Sequence, residues 1–139
     1  MKWAPEECKF GDMIRVRVGA VYHYGICSGE DEVIQFGLPP TPESLAHPEL
    51  VKVCVSDLDG FSHGNIIERA LLDFSERRKR FSPVKTVERA RARIGEGGYD
   101  ILHNNCEHFA YECVFGVKKS TQEEAVREKW RAFEKKNGG

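Results

Sequence analysis

The stretch Leu102-His103-Asn104-Asn105-Cys106-Glu107-His108-Phe109-Ala110 carries the strongest chemical signal in the chain and sets the expectation for its fold. Asn104 and Asn105 are good helix N-cap residues, and the apolar positions after them recur at helical spacing as far as Gly116, a typical C-cap residue. Cys106 is therefore predicted in the first turn of a helix. Unpaired backbone N–H groups and the positive end of the helix dipole lie there and favour a thiolate, so Cys106 is predicted to be a nucleophile.

A cysteine nucleophile needs a general base, and the chain has five histidines. His47 lies in a Pro-rich loop and His63 in a Gly/Ser turn, which suit neither to a rigid site. His108 is two residues from the cysteine at a helix start, where the two side chains point apart. His23 lies in the run 21–27, which has the β-branched and aromatic content of a strand. We predict that His23 is the base for the cysteine.

Both segments resemble a known family. Asn-Cys-Glu-His-Phe at 105–109, preceded by Gly-Tyr-Asp-Ile-Leu and followed by Phe-Gly-Val-Lys-Lys-Ser-Thr-Gln, is similar to the signature of the lecithin:retinol acyltransferase family and its HRAS-like suppressor phospholipases. The runs Gly-Asp-Met-Ile-Arg-Val-Arg-Val and Tyr-His-Tyr-Gly-Ile resemble that family's opening strands. The likeness extends from about residue 10 to residue 121.

The resemblance implies an α+β, circularly permuted papain-like fold, related to NlpC-type cell-wall peptidases. In that fold a small antiparallel sheet packs against helices, and the histidine precedes the cysteine in the chain. The resemblance places the nucleophile at Cys106, at a helix N-terminus, the base at His23, and a third polar residue, histidine in many members, at Gln35. A glutamine can accept a hydrogen bond from the imidazole and hold its tautomer, but it adds no titratable group.

The chain is predicted to form one domain, residues 1–139, with a core at about 10–121 and an amphipathic C-terminal helix at about 121–136. Its 139 residues, 40% of them hydrophobic, suit one core and are too few for two. Hydropathy patterns predict the other elements: strands at 13–18, 22–28, 33–36 and 50–55, a helix at 83–94 capped by Ser82, an irregular lead-in at 1–9, a loop at 39–42, and an undecided segment at 61–81. A hairpin would put His23 and Gln35 on neighbouring strands, but its register stays open.

The composition excludes several kinds of protein. A formal net charge of −1 offers no electrostatic footprint for nucleic acid, so no such partner is expected. Five cysteines without paired spacing predict free thiols in a reducing compartment, and hence a cytoplasmic location. No signal peptide is expected, and no stretch approaches the roughly 20 apolar residues that span a bilayer, so any membrane contact is expected to be peripheral.

Basic residues are concentrated in one part of the chain. They are found at 77–80 and at Arg89, Arg91 and Arg93. Such a group could meet an acidic surface or anionic lipid headgroups, although a solvated face is the commoner explanation.

The predicted chemistry is acyl transfer through a thioester on Cys106. Water would then release an acid, as in a hydrolase, or an alcohol or amine would take the acyl group, as in an acyltransferase. By resemblance the acyl-bearing substrate is a lipid ester, phospholipid-like, and no cofactor is required. A cysteine peptidase or amidase on the same fold, and a non-catalytic binding or regulatory module, are the alternatives. The oligomeric state is open.

A metal site is the main chemical rival. The side chains that could contribute ligands are His103, Cys106, His108, His23 and Cys27. Their spacings match neither the finger nor the ribbon patterns, and no Cys-x-x-Cys occurs, so no metal is predicted.

Overall fold

The computed structural model describes residues 1–100 and 104–117, which form a six-stranded antiparallel sheet with helices against it. The strands are β1 (Lys2–Ala4), β2 (Met13–Val18), β3 (Val21–Gly29), β4 (Glu32–Phe36), β5 (Val53–Ser56) and β6 (Ile67–Leu71), in the order β1-β6-β2-β3-β4-β5. The helices are α1 (Pro42–Ala46), α2 (Leu58–Ser62), α3 (Phe74–Lys79), α4 (Pro83–Ala92) and α5 (Cys106–Phe115), with a 3-10 turn at Pro48–Leu50. The predicted α+β class is confirmed.

The register of the β3–β4 hairpin answers the question that the sequence left open. Gly25 lies opposite Gln35, and paired residues of antiparallel strands project to the same face. Since His23 is two residues from Gly25, it shares that face with Gln35.

The sheet has a core on each face. The face that we call the helical face packs against α4 and α5 and carries Met13, Tyr24, Ile26, Ile34 and Phe36. The other, which we call the α2 face, packs against Phe61 of α2 and carries Ile14, Val16, Cys27 and Val33. Alternation along β3 therefore points Tyr24 to the helical face and His23 to the α2 face.

Glycine at position 25 lets α2 approach the sheet beside His23. A Cβ atom there would lie 2.8 Å from Cε1 of Phe61 and 2.9 Å from Cγ1 of Val33, closer than packed carbons allow. The Phe61 ring instead lies over this gap, with its centroid 5.4 Å from that of His23. The histidine is therefore held between its strand and an aromatic ring.

Most elements with a strong local signal are confirmed. The structure has strands at Met13–Val18, Val21–Gly29 and Glu32–Phe36, and helices that begin at Pro83 and Cys106. Ser82 and Asn105 cap those two helices through their side chains. The predicted C-terminal helix at about 121–136 lies outside the described residues.

Three expectations are wrong in part, and a fourth segment is one that the sequence leaves undecided. The lead-in at 1–9 contains β1, which forms by pairing with β6. The Pro-rich loop ends in a helix, since Thr41 caps α1 at Pro42. The strand predicted at 50–55 begins only at Val53, and the undecided segment 61–81 contains β6 followed by α3.

The arginines of the predicted basic cluster bind mainly within the molecule. Arg80 donates to the carbonyl oxygens of Gly11 and Phe81, and Arg89 donates to that of Glu112. Two more form ion pairs, Arg91 with Glu32 and Arg93 with Glu96. These four side chains therefore do not form one cationic surface.

Within the described residues, no helix is both long enough and apolar enough to cross a membrane.

Candidate active site

Helix α5 begins at Cys106 because the preceding residue satisfies its free amides. Oδ1 of Asn105 accepts hydrogen bonds from the amides of Glu107 and His108, both at 3.0 Å. Nδ1 of His108 in turn accepts from the Asn105 amide at 3.1 Å, which completes a reciprocal cap. His108 thus bonds to the backbone at the helix start. Gly116, with φ of 75°, ends the helix.

The thiol of Cys106 is buried, with 7% of the residue exposed. The backbone N–H groups of Tyr24, Glu107 and Cys106 itself act to lower its pKa, but burial outweighs them and raises the pKa to about 11. The predicted thiolate at neutral pH is therefore wrong for this conformation. Removal from water disfavours the charged sulfur more than the amides at the helix start favour it.

The Tyr24 amide reaches the sulfur because pairing between β3 and β4 stops beside it. The last paired residues are Gly25 and Gln35. The Cys27 amide donates to the Asp12 carbonyl on the β2 side, so the Tyr24 amide, three residues away, points to the β4 side, beyond the last pair. The strand thus offers the thiol a donor that the sheet does not use.

His23 is buried in the neutral state. Only 1% of the residue is exposed, and its Nε2 lies 2.7 Å from Oε1 of Gln35. Burial lowers the pKa of His23 to about 4, although Gln35 and the Gly37 carbonyl act to raise it. At neutral pH the ring is therefore uncharged and able to accept a proton.

A chain of hydrogen bonds assigns the tautomer of that ring. Ser56, at the end of β5, donates its hydroxyl to the Asp57 carbonyl at 2.9 Å. Its oxygen is left to accept from the side-chain amide of Gln35 at 2.6 Å, which turns Oε1 of Gln35 toward His23. A carbonyl oxygen can only accept, so Nε2 of the neutral His23 ring donates to Gln35 and Nδ1 carries the lone pair.

Sequence reasoning missed Ser56. A serine that ends an edge strand has no local signal, and only the pairing of Gln35 with Cys54 across β4 and β5 places Ser56 nearby.

The structure brings His23 and Gln35 together but does not join them to the thiol. In the described part of the chain, no hydrogen bond links the His23 ring to Sγ of Cys106. The sulfur instead lies near the amide that directly follows His23, one peptide unit from its α-carbon. The two groups are neighbours that lie off opposite faces at the end of the sheet.

Tyr99 is a second site residue that the sequence did not indicate. It lines a small cavity at the ends of β3 and β4 together with His23 and Phe36. Burial raises the pKa of its hydroxyl, and the nearby Cys106 adds to that rise. Tyr99 therefore lies close to both predicted catalytic side chains.

A larger cleft adjoins this small cavity. It encloses about 520 Å³ between the segment 37–52 and the start of β5, and its surface is mostly apolar. The two cavities share three wall residues: Leu38, Ser44 and Val51. The cleft thus leads toward His23.

Among residues 1–100 and 104–117, no three side chains of His, Cys, Asp or Glu gather as metal ligands. His103, which the sequence offered as one ligand, lies outside the described residues.

Fold and site define an α+β protein in which a cysteine begins a helix beside a strand that carries a buried, hydrogen-bonded histidine. Residues 6–119 match the family described as lecithin retinol acyltransferase, and the chain belongs to that family. The resemblance seen in the sequence is confirmed.

Three curated relatives show how far this chain has diverged in sequence from other members of the family. The lecithin retinol acyltransferases of Mus musculus, Homo sapiens and Bos taurus are 26%, 26% and 27% identical to this chain over 133, 130 and 131 residues. The alignments cover 82%, 81% and 81% of this chain, but 57%, 56% and 56% of those proteins. The chain therefore spans little more than half the length of the relatives it matches.

Proposed function

We propose that this chain is a thiol-dependent acyl hydrolase or acyltransferase that forms a thioester on Cys106 from a lipid ester. The observation that carries the proposal is the hydrogen-bonded series Ser56–Gln35–His23, which leaves Nδ1 as a base in the strand that touches the thiol. Family membership supports the acyltransferase chemistry.

The reaction begins from a neutral pair rather than an ion pair. The buried thiol and imidazole are both uncharged at neutral pH, so His23 acts as a general base during attack. Attack requires the sulfur and Nδ1 to come within hydrogen-bond reach at the end of β3, beyond its last pair with β4, while Nε2 stays bonded to Gln35. The thiol proton moves to His23 as the sulfur bonds to the ester carbonyl carbon.

Collapse of the tetrahedral intermediate completes acyl transfer to the enzyme. The C–O bond of the ester breaks, the alcohol leaves with the proton from His23, and a thioester remains on Cys106. Backbone amides near the sulfur, those of Tyr24 and Cys106, are the donors we assign to the oxyanion. Water or an acceptor alcohol or amine then attacks the thioester and restores the thiol.

The cleft favours an acyl chain over a peptide. Its apolar walls include Leu38, Leu50 and Val51, and a chain of methylene groups gains free energy on entering such a space. Polar lining residues such as Thr41 and Ser44 cover the smaller share of its surface.

The rim of this cleft suits peripheral contact with a lipid surface. Leu38, Leu45 and Leu50 are 57%, 53% and 73% exposed, and all three lie in the segment between β4 and β5. Large exposed apolar side chains in one segment are typical of a contact surface. We infer that this segment meets the lipid from which the acyl chain enters.

Two further expectations belong to the same proposal. The histidine strand precedes the cysteine helix, in keeping with a circularly permuted papain-like fold. Free thiols at all five cysteines are in keeping with a cytoplasmic location.

The test is intact mass after exposure to a short-chain phosphatidylcholine. We expect one acyl adduct on the wild type, mapped to Cys106 by peptide analysis, and none on Cys106→Ala. Cys113→Ala is the matched control, because that thiol is also buried in α5 and should not affect the adduct. An adduct that survives in Cys106→Ala would contradict the proposal.

A non-catalytic binding module is the second candidate. The specific observation in its favour is the raised pKa of Cys106 without a hydrogen bond to His23, which would also describe an inert core thiol. In that case the phospholipid leaves the mass of the protein unchanged but still binds, as measured by equilibrium dialysis.

A further inference from the structure

Cys8 and Cys27 bring two free thiols together on the α2 face. Their sulfur atoms are joined by a hydrogen bond of 3.0 Å, although the residues are 19 positions apart. Neither residue belongs to the Cys106 site, and this inference does not depend on the proposed function.

A hydrogen-bonded turn at residues 9–12 holds the segment that carries Cys8 against Cys27. The amide of Gly11 donates to the Cys27 carbonyl at 2.7 Å, and the Cys27 amide donates to the Asp12 carbonyl at 2.9 Å. The carboxylate of Asp12 also accepts a hydrogen bond from the Lys9 amide at 2.7 Å, which closes the turn that follows Cys8. The sulfurs are therefore brought together by backbone contacts, and joining them requires little movement.

The two thiols differ in their exposure to solvent and in their pKa. Cys8 is half-buried and reachable from solvent, whereas Cys27 is 1% exposed. The hydrogen bond between the two sulfurs holds the pKa of the Cys8 thiol below its ordinary value, while the same contact and burial raise the pKa of Cys27. Cys8 is thus the more reactive thiol, and Cys27 is the partner beside it.

We propose that Cys8 and Cys27 form an oxidation site at which a hydroperoxide converts the two thiols into a disulfide. Cys8 sulfur attacks the peroxide, the O–O bond breaks, and a sulfenic acid forms on Cys8 with release of water or an alcohol. Cys27 sulfur then attacks the sulfenic sulfur, the S–O bond breaks, and the hydroxide leaves as water with the Cys27 proton. Two thiols are oxidised and one peroxide is reduced.

The disulfide would tie the N-terminal segment to β3. Cys8 follows the edge strand β1, and Cys27 lies on the strand and the face that also carry His23. Cross-linking residues 8 and 27 restricts the unfolded chain, so the oxidised protein should unfold at a higher temperature than the reduced one.

The test treats the reduced 139-residue chain with hydrogen peroxide and maps its thiols by mass spectrometry. We expect the wild type to lose about 2 Da, the difference between two thiols and a disulfide, with Cys8 linked to Cys27 and no iodoacetamide labelling of either. Dithiothreitol should restore both the mass and the lower unfolding temperature.

Single substitutions separate the two roles. In Cys27→Ala, Cys8 should stop at the sulfenic acid and be trapped by dimedone, whereas Cys54→Ser should form the disulfide as the wild type does. Cys54 is the matched control because it is also half-buried but forms no hydrogen bond to another described sulfur. The proposal is overturned if Cys8 and Cys27 stay reduced while Cys54 or Cys106 is oxidised, or if the linkage joins other cysteines.

Discussion

At the scale of single residues, the proposed chemistry depends on which nitrogen of His23 carries the proton. Gln35 cannot contribute charge, as a histidine or carboxylate would, but its carbonyl oxygen fixes the Nε2–H tautomer. Ser56 fixes the orientation of Gln35 in turn. Gln35 and Ser56 are therefore positioning residues, which act on the thiol only through His23.

Substitution of these positioning residues should lower turnover without weakening substrate binding. We expect Gln35→Leu to reduce kcat by about 10- to 100-fold, a fraction of what general-base catalysis typically contributes, with KM nearly unchanged. Ser56→Ala should reduce kcat by a smaller factor than Gln35→Leu does. Ser56→Thr keeps the hydroxyl and should have a kcat close to that of the wild type. Steady-state kinetics on a chromogenic acyl ester measures all three. Equal losses in Ser56→Ala and Ser56→Thr would exclude the hydroxyl as the cause.

The pH dependence of kcat/KM should report the buried base. Because the pKa of His23 is lowered to about 4, the ring stays unprotonated through mildly acidic pH, and the acid limb should lie near pH 4 rather than near 6.5. Gln35 acts to raise that pKa, so Gln35→Leu should shift the limb to lower pH. Circular dichroism confirms that the protein is folded at each pH. A limb that stays near 6.5 would contradict a buried, neutral base.

At the scale of the element, the first turn of α5 joins stability to the site. Asn105 accepts from two amides of that turn, and the same turn presents the Cys106 and Glu107 amides to the sulfur. The loss of the cap should therefore loosen both the helix and the environment of the thiol.

We expect Asn105→Ala to destabilise the protein by about 1 kcal/mol, the usual effect of removing an N-cap, and also to reduce acyl-enzyme formation. Ser82→Ala is the matched control, since Ser82 caps α4 by accepting from the Lys85 amide. Ser82→Ala should lower the free energy of unfolding, measured by urea denaturation, by a similar amount. It should leave acyl-enzyme formation unchanged. Activity loss of the same size in both variants would point to general destabilisation.

At the scale of the whole molecule, the sheet places the site between two cores. β3 is a central strand, so its residues are covered by α5 on one face and by Phe61 on the other. This burial lowers the pKa of His23 and raises that of Cys106, because both charged forms lose hydration.

Burial of His23 should make the protein sensitive to mild acid. The unfolded chain protonates this ring near pH 6.5, whereas the folded protein does so only near pH 4, so the unfolded state binds more protons in between. The free energy of unfolding should fall by about 3 kcal/mol from this group as the pH is lowered through that window. Urea unfolding across the window measures the slope. His23→Gln should reduce that slope.

Many of the helices and strands could be predicted from short stretches of neighbouring residues. The position of Cys106 at a helix start followed from the Asn105 cap and from Gly116, because caps and periodicity act within a few residues. His23 on a strand followed from β-branched and aromatic neighbours. The edge strand β1 could not be read in this way, since three residues form a strand only when a partner is beside them.

Local sequence patterns were enough to place a family cysteine motif on a helix and a histidine on a strand. The contact of Gln35 with His23, and its orientation by Ser56, depend on strand pairing, since a register shift of one residue would send these side chains to opposite faces. The tertiary structure also reversed the expected ionisation of Cys106. The dipole and amides that favour a thiolate are local, whereas the burial that opposes it comes from the packing of the whole domain.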